Sequence, residues 1–360
     1  MSVNDTAAAL PAANGRALPS GASLPSVPVA SAPLASGIPL RFSTAALLWF
    51  AASGVTALWP DAADAEAWER TGEFASLLAV AAGLLALIAP LTAVIRPAPR
   101  SRLASSIAGL SASMPWLVVV ALGVIGWEIL TAKLGLLPRP FFVPPQALLE
   151  VYLDDWPRLL DCFAASLTLL VTGYAVGSVL GVVTGVAIGW SRAVGYWVHP
   201  VLRLIGPLPA TAWLPIAFFA FPTSWSASVF LIALASGVPV TVLTWSGVAG
   251  VNSAYYDIAR TLGASQRFLV LKVAVPAAMP HVFVGLFMGL GASFAVLVVA
   301  EMLGVKSGVG WYLQWVQGWA AYGNMYAALL VMALLCSGLV ALLFRVRDRL
   351  LAWQKGMLKW

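Results

Sequence analysis

Apolar residues fill long stretches of this chain with almost no charge between them. Phe163 to Trp190 and Val273 to Ala300 are two such stretches. A helix needs about 20 apolar residues to cross the hydrocarbon core of a bilayer. Eight spans of this kind can be drawn: 44–59, 74–95, 115–132, 163–190, 200–220, 227–249, 280–303 and 322–344. The pattern therefore predicts an all-α polytopic membrane protein with about eight transmembrane helices, of which the short first span has the least support.

The segments outside the spans are of two kinds. Residues 1–40 are rich in Ala, Pro and Ser, and such a composition predicts a disordered tail. Residues 141–160 are interrupted by prolines and acids, which predicts an amphipathic helix lying between two spans. Residues 351–360 are expected to form a short cytoplasmic tail.

Composition narrows the class of protein further. Of the 360 residues, 61% are hydrophobic and only 9% are charged, whereas a soluble domain carries roughly 25% charged residues. Despite the net charge of +6, a soluble enzyme and a nucleic-acid-binding module are both excluded. The two cysteines and two histidines are scattered without ligand spacing, so we expect neither a metal site nor a disulfide. The chain also has no Walker A pattern, and we predict no catalytic residue.

The basic residues favour one orientation. With the amino terminus in the cytoplasm, most of the 20 Lys and Arg residues fall on the cytoplasmic side, while the acidic run from Asp61 to Glu73 falls outside. Cytoplasmic loops are enriched in Lys and Arg. We therefore expect a multi-pass protein with both termini in the cytoplasm.

The fourth span carries glycines at a constant spacing of four residues. They are Gly173, Gly177, Gly181, Gly185 and Gly189. Glycines at this spacing line one face of a helix and let a second helix approach closely. Static helix packing and a sliding contact between helices are both compatible with this pattern.

Several polar residues lie inside the predicted spans. Ser236, Thr241, Ser293 and Glu301 are candidates for the wall of a translocation path, since an acid near membrane depth needs a partner or a watery cavity. The alternative for Glu301 is that it reaches the outer interface. For the hydroxyls, the alternative is a bond to the carbonyl one turn back in the same helix.

The loop between the sixth and seventh spans has a distinct pattern. Charged residues recur at helical spacing among apolar ones, Gly263 interrupts the run, and Pro276 and Pro280 close it. This predicts a short amphipathic helix, a glycine turn, and a second helix that leads into the membrane. An ordinary surface loop is the alternative.

This loop resembles the EAA loop of ABC importer permeases. That pattern is EAA, three residues, Gly, nine residues and then I-x-L-P; here Asp257-Ile258-Ala259 precedes Gly263, and Val273-Ala274-Val275-Pro276 ends the motif. Asp257 and Ile258 depart from the pattern, but the positions of Gly and Pro agree. Residues 207–221, which include Trp213 in a WLP triplet, and residues 298–315 look like the nitrate/taurine/sulfonate-type permeases. Trp213 joins the path candidates on this likeness.

The resemblance covers about 114–350 and implies a six-helix type I permease core, with 41–113 forming two additional spans outside it. It implies a homodimer in the bacterial cytoplasmic membrane, cytoplasmic ATPase subunits that bind ATP and Mg, and an extracytoplasmic substrate-binding protein. This chain itself would need no cofactor and would carry a small solute, with small anions suggested by the family. The ATPase-coupling residues in the loop 254–276 would be Asp257, Ala259, Arg260, Gly263 and Pro276. A secondary transporter or channel, or a membrane scaffold subunit, remains the alternative.

Overall fold

The computed structural model describes residues 38–62, 68–94, 102–138 and 140–353. All of the regular structure in these ranges is helical. The helices are α1 (Ile38–Leu58), α2 (Thr71–Val94), α3 (Arg102–Glu128, extended by a π-helical turn, Ile129–Lys133), α4 (Pro145–Asp154), α5 (Trp156–Trp190), α6 (Arg192–Ile205), α7 (Leu214–Ala220, preceded by a 3₁₀ turn, Ala210–Trp213), α8 (Ser224–Ala249), α9 (Ser253–Thr261), α10 (Gln266–Phe268), α11 (Val275–Leu303), α12 (Val309–Gly318) and α13 (Tyr322–Leu350).

The two amino-terminal helices form a hairpin that packs against α3. Phe42 on α1 meets Ala89 on α2 and Met114 on α3 in a small apolar core. Near this end, the indole nitrogen of Trp49 donates to the carbonyl of Leu117 at 3.2 Å. Thr56, near the end of α1, likewise meets Lys133, just after the end of α3. The helices α1 and α3 are therefore parallel. At 1.5 Å per residue, the 21 residues of α1 extend about 30 Å, the thickness of the hydrocarbon core.

A buried ion cluster fastens the far end of the hairpin to α3. The ammonium of Lys133 donates to Asp61 at 2.7 Å, to the Trp59 carbonyl at 2.7 Å and to the Thr56 carbonyl at 3.1 Å. The Glu128 carboxylate lies 3.7 Å away, and the side chains of Lys133 and Glu128 are both 1% exposed. A buried ammonium needs its donors satisfied in this way. The additional hairpin and the first helix of the core thus share one buried charge site.

The central helices α5 and α8 run parallel to each other. Gly173 in the middle of α5 faces Ile232 on α8, and Gly189 at the end of α5 faces Val248 further along α8. Parallel neighbours require the chain between them to return across the membrane, so residues 192–223 must cross. This crossing is not the single span predicted over 200–220: α6 and the 210–220 segment meet at a break with an angle of 88°.

The third central helix, α11, runs antiparallel to α8. Gly247 near the end of α8 faces His281 near the start of α11, and Gly289 further along α11 faces Ser236. α8 is therefore held between α5 and α11. The main apolar core surrounds this trio and includes α4, α12 and α13.

Several helices begin earlier than the apolar pattern predicts. α3 begins at Arg102 rather than 115, so the expected boundary between the extra spans and the core at 113/114 lies inside a helix. The amphipathic helix expected over 141–160 is limited to α4, and α5 already starts at Trp156. Pro157 does not prevent this, because the first turn of a helix has no backbone acceptor for its N–H groups.

In the described ranges, six helices have the length and apolarity to cross a membrane: α2, α3, α5, α8, the run Gln266–Leu303 and α13. The broken segment 192–220 adds a seventh if it is taken as one span, and α1 is not among these helices. The predicted all-α polytopic fold is confirmed. The expected disordered tail lies outside the described residues except for its end, where α1 already begins at Ile38, and most of the tail after 350 also lies outside them.

Candidate coupling segment and translocation path

The loop between α8 and α11 contains the predicted helix, glycine turn and second helix. α9 starts at a cap in which the Asn252 side chain accepts the Ala254 N–H at 2.9 Å. At its end, Gly263 has φ +80 and donates its N–H to the Arg260 carbonyl, while Ala264 donates to the Ala259 carbonyl at 3.0 Å. This pair of bonds is the Schellman motif, which needs a left-handed residue at the glycine position. A Cβ on Gly263 would meet nothing within 4 Å, so its conformation, not a lack of space, calls for glycine.

The second helix of the loop enters the membrane without interruption. Pro276 and Pro280 were expected to close the run, but helix continues through both of them. The reason lies in the π-helical turn Leu269–Ala274, after which the Val275 N–H bonds to the carbonyl of Val270. This turn shifts the hydrogen-bond register just before Pro276, which sits in the first turn of α11 and has no N–H to bond.

We call this loop, residues 253–276, the coupling segment. Its surface that faces away from the helix trio is apolar and uncovered within the described chain. Leu262 is 82% exposed and Leu271 is 64% exposed, with Tyr255, Ile258 and Phe268 also exposed. Between them, Arg260 and Asp257 form an exposed ion pair at 3.4 Å. Exposed apolar side chains grouped in this way mark a contact surface for another molecule.

The coupling segment is attached to the helix trio on its other side. The ring of Tyr256 meets that of Trp190 at the end of α5 edge-on, with centroids 5.7 Å apart. Burial there raises the pKa of Tyr256 above its ordinary value. Of the predicted coupling residues, Ala259 and Pro276 are half-buried, whereas Asp257, Arg260 and Gly263 are exposed.

The predicted path residues do not form one cluster. Ser236, Thr241 and Ser293 are buried, and each hydroxyl donates to the carbonyl four residues earlier in its own helix, at 2.8 to 3.0 Å. Trp213 is half-buried at the break before α7, and its indole N–H has no acceptor. Glu301 lies in the last turn of α11. The hydroxyls follow the alternative that sequence reasoning left open.

A cavity of about 320 Å³ opens at the break between α6 and α7. Its wall includes the irregular backbone from Gly206 to Thr211, together with Pro239 of α8 and Ala292 of α11. Non-helical backbone at membrane depth is tolerated only where it is buried or lines a water-filled space. Sequence reasoning missed these residues, although the run Gly206-Pro207-Leu208-Pro209 carries the signal of a broken helix.

The five glycines of α5 form one continuous seam against α8. A Cβ on Gly173 would lie 2.7 Å from the Ile232 side chain, and one on Gly185 would lie 2.6 Å from the Thr241 carbonyl. Both distances are far below ordinary contact. Gly285 and Gly289 of α11 make a similar close approach to α8, at Val240 and Ser236, which the α5 glycines also meet.

Glu301 is fully buried and holds the start of α12. One carboxylate oxygen accepts the Ser166 hydroxyl at 2.6 Å, and the other accepts the Gly310 N–H at 2.7 Å. The Ser166 oxygen in turn accepts the Val309 N–H at 2.8 Å. Sequence reasoning found Glu301 but missed Ser166, which looks like any serine on a long apolar helix.

Comparison with known proteins decides the family. The family described as binding-protein-dependent transport system inner membrane component matches residues 177–354. A protein named as a probable ABC transporter permease protein, from Brucella abortus, is 31% identical over 240 residues, which is 66% of this chain and 95% of the relative. The chain is an ABC importer permease and belongs to this family.

Two further relatives carry the names of solutes. The nitrate import permease protein NrtB of Leptolyngbya laminosa is 30% identical over 62% of this permease and 80% of the relative. The bicarbonate transport system permease protein CmpB of Synechococcus elongatus is 33% identical over 52% of this permease and 66% of the relative. The predicted likeness to nitrate/taurine/sulfonate-type permeases is confirmed.

The family membership carries consequences for partners and chemistry. An importer permease of this family works with ATPase and substrate-binding protein partners in a multi-pass membrane assembly, and permeases of this kind are not enzymes. Within the parts of the chain that the structure describes, no group of His, Cys, Asp or Glu side chains is arranged to hold a metal ion.

Proposed function

We propose that two copies of this permease form a path for a small anion, and that the coupling segment of each copy docks on a cytoplasmic ATPase subunit. Both termini lie in the cytoplasm, and a substrate-binding protein delivers the solute from outside. ATP binding and hydrolysis in the partner subunits would drive a population shift between outward-open and inward-open states. This chain would contain no ATP, Mg or other cofactor of its own.

The observation that carries the proposal is the shape of the coupling segment. It combines a capped helix, a glycine turn and a second helix that continues as one run from Gln266 to Leu303. Its exposed apolar face offers a partner a firm surface, and the exposed Asp257 and Arg260 stay available for polar contacts. Because the second helix continues into α11, a displacement of this surface by a bound partner would also move α11.

In this proposal the path runs through the cavity beside the α6–α7 break. The wall of this cavity comes from the broken segment, α8 and α11, and it consists mostly of apolar side chains without a basic residue. Such a wall favours passage over tight binding. The choice of solute would then rest mainly on the binding protein, and the names of the nitrate and bicarbonate relatives support a small anion.

Two substitutions at Gly263 test the docking role. Gly263→Val forces a β-branched residue to φ +80, which costs on the order of 1–2 kcal/mol and displaces the docking helix. Gly263→Asn is the matched control, because asparagine tolerates the left-handed region and a Cβ at this position meets nothing within 4 Å. We expect both proteins to insert normally, with ATP-driven uptake lost only in Gly263→Val. Wild-type uptake by a well-expressed Gly263→Val protein would exclude the coupling segment as the docking site.

The subunit composition is tested by mass. The permease is co-expressed with the ATPase encoded nearest to it, and the intact mass of the purified complex is measured. Two permeases with two ATPases would support the proposal. A permease that never associates with an ATPase, or uptake that persists without one, would favour a gradient-driven transporter or channel. An assembled complex that moves no solute would favour a scaffold.

A further inference from the structure

Helix α12 is unusual in how its amino-terminal end is satisfied. Helices ordinarily begin at a residue whose own side chain accepts a backbone N–H. Here the cap position is Gly308, which has no side chain and sits at φ +108. The first N–H groups of α12 instead bond to Ser166 on α5 and Glu301 on α11. The start of α12 is therefore held by two other helices.

The backbone around this contact leaves room for nothing but the carboxylate. A Cβ built on Gly308 would fall on the Glu301 carboxyl group, and one on Gly310 would lie 2.9 Å from the Glu301 Cβ. Both Glu301 and Ser166 are 0% exposed. A buried carboxyl group whose two oxygens both accept hydrogen bonds at this helix end satisfies a backbone N–H that has no partner within the helix. The Glu301 side chain is thus packed and hydrogen-bonded tightly against the start of α12.

A second contact fixes the middle of α12. The Tyr312 hydroxyl donates to Asp155 at 2.6 Å and accepts from the Asn324 amide at 2.7 Å. Burial, and next the bond to the Asp155 carboxylate, raise the pKa of Tyr312, so it stays protonated. This contact joins α12 to the α4–α5 junction and to α13, whereas only the Glu301 contact joins it by hydrogen bonds to α11.

The helix that carries Glu301 also carries the coupling segment. The run Gln266–Leu303 is helical over 38 residues, which at 1.5 Å per residue extends about 55 Å. Its first residues belong to the coupling segment and its last turn holds Glu301. The run is one continuous helix that includes the π-helical turn Leu269–Ala274, so it connects the coupling segment to Glu301 without a loop between them.

We infer that Glu301, supported by Ser166, is a positioning residue that makes α12 follow the outer end of α11 when the coupling segment is displaced. Glu301 acts through its bonds to α12, without contacting the solute. The inference rests on the proposed function, because the displacement originates in a docked ATPase. It gives the outer side of the permease a direct link to the state of the ATPase.

The test changes the carboxylate to an amide. Glu301→Gln keeps the size of the side chain, but only one of its two terminal atoms can accept a hydrogen bond. Either the Ser166 hydroxyl or the Gly310 N–H then faces an NH₂ group. Ser166→Ala is a second variant that keeps the carboxylate. Ser228→Ala is the matched control, a buried serine on α8 whose hydroxyl bonds only within its own helix.

Two spin-label positions report on α11 and α12. Ala277→Cys marks the start of α11, one residue beyond the coupling segment, and Trp319→Cys marks the end of α12; both positions are exposed. The background replaces Cys162 and Cys336 by alanine. Distances between the labels of the two copies are measured by pulsed electron paramagnetic resonance in the full complex, with and without ATP. We expect ATP to shift both distances in the parent, and Glu301→Gln to retain the shift at Ala277 and lose the shift at Trp319.

Each outcome has a defined meaning. Ser166→Ala should reduce the shift at Trp319 and Ser228→Ala should leave it unchanged. A shift at Trp319 that persists in full in both Glu301→Gln and Ser166→Ala would overturn the inference while leaving the proposed function in place. If ATP moves neither label in the parent complex, the proposed docking role is wrong, and the inference fails with it.

Discussion

Gly177, which lies in the glycine seam, and Gly291, which lies outside it, look alike in the sequence. Alanine at these two positions should change the free energy of unfolding in opposite directions. Gly177→Ala places a methyl group 2.8 Å from the Ala233 Cα and still closer to the Ala233 carbonyl, whereas ordinary contact begins at 3.4 Å. Because backbone cannot rotate away, α5 and α8 must separate by more than half an ångström along the seam. Gly291→Ala on α11 meets nothing within 4 Å.

The magnitudes follow from these two environments. Overpacking a close helix contact costs about 1–3 kcal/mol. Replacing a helical glycine by alanine otherwise gains about 0.5–1 kcal/mol. We therefore expect Gly177→Ala to lower the free energy of unfolding by about 1–2 kcal/mol and Gly291→Ala to leave it unchanged or raise it slightly.

The assay is an equilibrium unfolding titration with sodium dodecyl sulfate in mixed micelles, followed by tryptophan fluorescence. Both variants are purified in the same detergent as the parent. Equal midpoints for Gly177→Ala and Gly291→Ala would show that the close approach of α5 to α8 does not decide stability. A Gly177→Ala protein more stable than the parent would refute the seam as described.

Three further predictions concern side chains outside the seam. Lys133→Met should lower the free energy of unfolding by about 3–5 kcal/mol, because it leaves the buried Glu128 carboxylate without a cation. Adding Glu128→Gln should recover much of this loss in the same titration. A double variant no more stable than Lys133→Met alone would contradict the pairing. Tyr312→Phe removes a buried donor and acceptor and should cost about 1–3 kcal/mol, with the exposed Tyr196→Phe as an unaffected control; equal midpoints for the two would contradict the role of the hydroxyl. Leu262→Asp should abolish co-purification with the ATPase without lowering the yield of permease in the membrane, and full retention of the ATPase would count against the docking surface.

Features encoded over short distances could be predicted from the sequence. The glycine turn depends on bonds among Arg260, Gly263 and their neighbours, so its pattern is visible in a few residues. The period of the α5 glycines likewise showed that they share a face, although it could not name α8 as the partner of that face. Apolarity alone located most of the crossings.

The features that could not be predicted depend on residues far apart in the chain or on a change in the direction of a helix. Lys133 and Asp61 are 72 positions apart, and Ser166 and Glu301 are 135 apart, so neither pairing leaves a local pattern. The break between α6 and α7 was missed because a count of apolar residues is the same for a straight helix and a bent one. The expectation that Pro276 ends the helix was wrong. The π-helical turn just before Pro276 accommodates its missing backbone N–H.

The ion cluster around Lys133 has a consequence for how the protein is made. A chain emerges from the ribosome with its amino terminus first. Asp61, which pairs with the ammonium, and the carbonyls of Thr56 and Trp59, which accept its hydrogen bonds, are all synthesised before Lys133 itself. Its partners are therefore already synthesised when Lys133 leaves the ribosome, and α3 can complete this buried charge site as soon as it packs against the additional hairpin.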